Sequence, residues 1–238
     1  MAKKEVRVSN HQEIHTLGTG VRDIVFGVHD GILTVLGFVS GAAGIFSDSR
    51  TLFFTGLAGM IAEGISMGVG EYQSIKAQND IIEHQRHIEE HEIQSKPKEE
   101  FDEVYQIYRK KGFSKQEATK IAKKITANKK QWVDTMMIEE LGFSPRQTEN
   151  PMRDAVIIGI ASFLGGFIPI LSYLFLAKQQ AFIMSAVLSA GVVFFLGVLK
   201  SWYSGKKWLA SGLKMMAVAL FTAVVTYYIG VILGKLYA

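Results

Sequence analysis

Carboxylates at helical spacing recur in this chain, and methionines stand beside some of them. Asp30 lies within the apolar run Ile24 to Phe46, IVFGVHDGILTVLGFVSGAAGIF. At about 1.5 Å rise per residue, roughly 23 residues cross a hydrocarbon core of about 30 Å. An ionised side chain there costs on the order of 3 kcal/mol, so Asp30 should face a protein interface, a water cavity or a cation. The structural alternative is that it caps a broken turn beside Gly31. Glu63 is a second carboxylate inside an apolar run, and Met67 follows it by one helical turn on the same face. Methionine in such a run usually packs, but a thioether is also a soft ligand that sets transition metals apart from calcium or magnesium.

A second group lies in the polar stretch that follows. Glu89 and Glu92 are three residues apart, as are Glu100 and Glu103, while Met136 and Met137 precede Glu140 by one helical turn. Such spacing puts each pair on one helical face, where like charges repel and weaken an isolated helix by a few tenths of a kcal/mol. A bound cation is a natural reason to keep them. The plainer reading is a solvated acidic face balanced by lysines, and three pairs on neighbouring helices weigh against it. His84, His87 and His91 form a rival stripe within about 60° of arc, offset by roughly 100° from the Glu89 and Glu92 face. Imidazoles so placed suit zinc, nickel or copper, or simply water. A ferritin-like di-iron centre is disfavoured, because no histidine has a glutamate three residues before it.

The elements that must position these groups follow from hydropathy. Five apolar runs are long enough to span a bilayer: Ile24 to Phe46, Leu52 to Gly70, Ala155 to Ala177, Ala181 to Leu199 and Met215 to Gly234. A soluble fold with five buried helices of about twenty residues each would need a larger polar shell than this chain has. The expected fold is therefore an all-α membrane protein of five transmembrane helices, with a cytoplasmic three-helix metal-binding insert between helices two and three. The segments are 1–20, 21–75, 76–153 and 154–238. No apolar signal-peptide core is visible in the first twenty residues, so the first span should direct insertion. With no cysteine, disulfides and thiolate ligands are excluded.

The net charge of +4 is explained by topology and not by nucleic acid. Lys3, Lys4, Arg7 and Arg22 precede span one, and Lys200, Lys206, Lys207 and Lys214 surround the turn between spans four and five. The opposite loops hold only Arg50 and Lys178. Short cytoplasmic loops are enriched in lysine and arginine, so the amino terminus and the insert should be cytoplasmic and the carboxyl terminus on the far side.

Within the insert, span two runs on without a breaker to about Gln94 and is closed by Pro97. A shorter helix covers about Lys98 to Lys111 and stops at Gly112. A third opens with the capping box Ser114 and Glu117, packs through Ala118, Ile121, Ala122 and Ile125, and continues to Leu141 before Gly142. The last three spans, with Gly165, Gly166, Pro169, Ser185, Ser189 and Gly191, read as scaffold with a kink at Pro169. Trp202, Tyr203, Trp208, Tyr227 and Tyr228 are candidates for interfacial belts.

The runs VRDIVFGVHDGILTVLGFVSG, ISMGVGEYQSIKAQND and WVDTMMIEELG resemble the vacuolar iron transporter family, and the similarity covers Val21 to about Gly234. The resemblance implies a transporter and not an enzyme: a homodimer in a lipid bilayer, with the ion path between the two subunits' first and second helices. It implies export of Fe2+ from the cytosol in exchange for protons, with Mn2+, Zn2+ or Co2+ as other candidates at the same sites. It places Asp30 and Met67 in the membrane path, and Glu89, Glu92, Glu100, Glu103, Met136, Met137 and Glu140 among the ligands of the insert. It assigns nothing to Glu63 or to the histidine stripe. The membrane would be the plasma membrane in a prokaryote and the vacuolar membrane in a plant or fungus. The competing function is a membrane-anchored metal sensor or buffer, which binds ions without moving them.

Overall fold

A computed structural model describes residues 10–143, 150–205 and 207–237. Among these the chain forms eight helices and no strand: α1 (Asn10–Ile45), α2 (Ser49–Ser95), α3 (Pro97–Lys110), α4 (Lys115–Thr126), α5 (Lys129–Glu139), α6 (Pro151–Phe175), α7 (Lys178–Ser204) and α8 (Trp208–Tyr237). Five of them, α1, α2, α6, α7 and α8, are long and apolar enough to cross a membrane. Lys3, Lys4, Arg7 and Lys206, four of the charges used for topology, lie outside the described residues.

The chain divides into two compact units, one of residues 1–72 and 152–238 and the other of Gln73–Pro151. In the first, α1 is the central helix. It meets α6 at Gly31, where an added Cβ would stand 2.0 Å from the Ser162 carbonyl oxygen, and it meets α8 at the Gly41 carbonyl. Ile32 and Leu36 pack on Val193 of α7 and on Ala219 and Ala223 of α8. The outward faces are apolar: Phe175, Phe195 and Phe221 are each more than 60% exposed, as lipid-facing side chains must be. Trp202 and Trp208, at the end of α7 and the start of α8, are also exposed. Tyr227 instead packs on Phe182 with ring centroids 4.8 Å apart. The α6 helix runs on through Pro169.

The second unit holds the end of α2 together with α3, α4 and α5 around a core of Ile82, Ile93, Val104, Ala122, Trp132, Val133 and Met136. Local signals place several of its boundaries. Pro97 begins α3, Gly112 follows it with φ +95°, and Gly142 adopts φ +72° beyond α5. The Ser114 side chain accepts from the Glu117 backbone N–H at 3.3 Å, while Glu117 accepts from the Ser114 N–H at 2.9 Å. The expected single helix from Ser114 to Leu141 is corrected to two, α4 and α5. The break falls at Asn128, which takes an extended conformation and accepts the Gln131 N–H at 3.1 Å with its side-chain oxygen. Asparagine at this point caps a new helix in preference to continuing the old one. Replacing Asn128 with Ala is expected to lower the stability of this unit by about 1 kcal/mol, read as a shift in its urea midpoint.

Candidate metal-ion sites

In the first unit, Asp30 stands on α1 immediately before the close approach at Gly31, half-buried. Glu63 and Met67 stand on α2, also half-buried, one turn apart. The Glu63 carboxyl lies within hydrogen-bonding reach of Asp30, so two helices bring two acids to one place. Sequence spacing had linked Glu63 only to Met67. The neighbouring His29 has its Nε2 buried without a hydrogen-bond partner among the described residues.

Two further acids of this unit escaped the sequence reading. Asp23 and Asp154 are 3% and 1% exposed, and each is held by the arginine that precedes it, Arg22 at 3.0 Å and Arg153 at 2.7 Å. The doubled Arg-Asp step, near the starts of the apolar parts of α1 and α6, is the only sequence signal that could have drawn attention to them.

The second unit gathers the acids that spacing had paired. Glu89 and Glu92 on α2, Glu100 and Glu103 on α3, and Glu140 just past α5 all act electrostatically on one another. Glu89 and Glu100 are each only 4% exposed, and each has one carboxylate oxygen buried without a hydrogen-bond partner. A depression of about 490 Å³ opens beside them, lined by Glu99, Asp102, Glu103 and Glu140 among others. Glu99 and Asp102 were not among the expected ligands, although they continue the same acidic helix face. Arg86 ties α2 to α5 through Asp134 at 2.5 Å, and Lys111 pairs with Glu139 beside the cluster.

Not every expected ligand joins this group. Met136 and Met137 are buried in the apolar core with Ile82 and Val104. His84, His87 and His91 form an exposed stripe on α2. Among the described residues no three histidine, aspartate or glutamate side chains stand in a geometry that would already grip an ion. The acids concentrate negative charge without closing on a point.

Crowding shows in their protonation. Burial, then the charges of Glu100, Glu140 and Glu92, push Glu89 up to about 8. Glu100 and Glu140 also lie above the usual carboxylate range, from burial first and then from Glu103. Glu89 therefore holds a proton in the folded protein that the unfolded chain releases above its ordinary value of 4.5. Metal-free protein is expected to lose stability as the pH rises from 4.5 to about 8, and a divalent ion added at the top of that window should restore it and release protons. Melting curves at pH 5 and 8, with and without metal, check this; a flat profile would contradict the clustering.

The sequence profile of the VIT family matches residues 21–231, nearly all of the chain. This chain belongs to the VIT family. Among its relatives, Vacuolar iron transporter 1 of Arabidopsis thaliana is 32% identical over 211 residues, covering 88% of this chain and 84% of that protein. Vacuolar iron transporter of Centaurea cyanus is 31% identical over 202 residues, covering 84% of this chain and 82% of that one. Vacuolar iron transporter of Toxoplasma gondii is 32% identical over 209 residues, covering 83% and 69%. With five apolar helices, this VIT-family chain is a multi-pass membrane protein.

Proposed function

We propose that this VIT-family protein exports ferrous iron from the cytosol in exchange for protons, working as a homodimer. The observation that carries the reading is the meeting of Asp30 and Glu63 in the unit that holds the spans. Two carboxylates at that distance repel unless a cation or a proton lies between them. A pair that accepts either one in turn is what an exchanger needs. Membership of a family whose relatives are named as iron transporters supports iron as the cargo.

In this reading the insert, residues 76–153, is cytoplasmic, and its acids raise the local concentration of cations on that side of the membrane. Met67, one turn from Glu63, supplies the soft ligand that favours iron over magnesium. Protonation of Asp30 or Glu63 from the far side weakens the site, releases the ion and carries a proton inward. The insert's Met136 and Met137 join the ligands only once the core around them opens. His84, His87 and His91, exposed on α2, form a candidate secondary metal site apart from the insert's acids. The amino terminus is cytoplasmic, and the membrane is the plasma membrane in a prokaryote or the vacuolar membrane in a plant or fungus.

Selectivity is tested by competition. In liposomes with an acid lumen, Mn2+, Zn2+, Co2+ and Mg2+ are each added against a fixed Fe2+ concentration. The reading expects Mn2+ and Co2+ to compete for uptake and Mg2+ to compete hardly at all. Uptake equally sensitive to Mg2+ would remove Met67 from the selectivity argument.

A further inference from the structure

The spans treat their hydroxyl groups in two ways. Thr222 and Thr226 donate to the carbonyls four residues earlier at 2.9 and 2.7 Å, and Ser172 donates across to the Ala181 carbonyl at 2.8 Å. Five other buried hydroxyls do neither: Ser162 of α6, which lies against Gly31, and four that group elsewhere. Ser40 on α1, Tyr173 on α6, and Ser185 and Ser189 on α7 are at most 3% exposed, and none has a hydrogen-bond partner among the described residues.

All four belong to one seam. An apolar cluster joins Val35, Val39 and Ala43 of α1 to Tyr173 of α6 and Ala181 of α7. Another joins Ile32 and Leu36 of α1 to Val193 of α7. Along α7 the buried positions Ala181, Ser185, Ser189 and Val193 follow one another four residues apart, so the two serines fill the interval between the clusters on the side turned to α1. Ser40 falls in the same interval, four residues after Leu36 and three before Ala43.

A serine in a helix can satisfy itself on its own backbone, as the two threonines do. Here the serines turn away from that partner, in a setting where an unpaired hydroxyl is costly. The set contains no carboxylate, imidazole or thioether. Its neutral oxygens, able both to donate and to accept, match water far better than a divalent ion. We propose that the seam of α1, α6 and α7 is a binding site for ordered water that bridges Ser40 to Ser185, Ser189 and Tyr173. The water ties the helix carrying Asp30 to two scaffold helices, and the site stands whether or not Asp30 handles an ion.

X-ray radiolysis of the full chain in nanodiscs is the test, because bound water generates hydroxyl radicals that mark the side chains beside it. Tyr173 is expected to be oxidised despite its burial, and the double substitution Ser185→Ala with Ser189→Ala should lower that labelling by about fivefold while leaving exposed Phe113 unchanged. Tyr173 left unmodified in the unsubstituted protein would overturn the proposal, and that reading needs no variant to fold. Labelling indifferent to the double substitution would overturn it too.

Discussion

Proteoliposomes carrying Asp30→Asn are expected to move metal at background rates, and Glu63→Gln should be nearly as damaging. The carboxamides keep the shape of the site and lose the charge that replaces an ion's hydration. Removing a carboxylate from the cation it would hold in a partly desolvated site costs on the order of 3–5 kcal/mol, or roughly two to four decades in occupancy of the site. Neither residue lies in the second unit, so metal binding by the insert's acids should survive in both variants. That contrast separates a broken path from a broken protein. Normal uptake by Asp30→Asn would take the residue out of the mechanism.

The largest effect on stability should come from Gly31→Ala. The added Cβ would stand 2.0 Å from the Ser162 carbonyl oxygen and under 3 Å from two more of its backbone atoms. Backbone atoms of a neighbouring helix cannot swing aside as a flexible side chain does, so α1 and α6 must separate. Overpacking of this kind is worth about 3 kcal/mol or more. Gly191 is the control, since a Cβ there meets nothing within 4 Å, and Gly191→Ala should be neutral or gain up to about 1 kcal/mol. Melting midpoints of the two variants in one detergent check the pair; equal midpoints would mean that the α1–α6 contact is looser than described. Because Asp30 adjoins Gly31, transport should fall with stability.

The parts of this protein that were legible in its sequence are those fixed by local chemistry. Hydropathy found five spans because lipid allows few alternatives. Pro97, Gly112, Gly142 and the Ser114–Glu117 box marked helix ends because each acts within one turn of the chain. The spacing of Glu89, Glu92, Glu100, Glu103 and Glu140 placed those acids on helix faces, and the fold turned the faces toward one another.

What stayed hidden depends on which helix lies next to which. Glu63 had no visible partner, because Asp30 stands more than thirty residues away on another helix. Burial of Asp23 and Asp154 depends on the fold, and adjacent residues on a helix do not ordinarily face each other, so the doubled Arg-Asp step is a weak signal and easily passed over. Asn128 was passed over because the apolar positions on either side, Ile125 and Trp132, are seven residues apart and keep a helical rhythm across the break. Met136 and Met137 were correctly set one turn from Glu140, but periodicity alone does not say whether a methionine face turns to an acid cluster or to a core.

The most direct test of ion-for-proton exchange at Asp30 and Glu63 is to follow lumenal pH while metal enters. With the cytosolic face outward and an acid lumen, adding Fe2+ should make the lumen more alkaline in step with iron uptake, and both signals should vanish together in Asp30→Asn. Iron that binds without any pH change, or a pH change that persists in Asp30→Asn, would contradict the account.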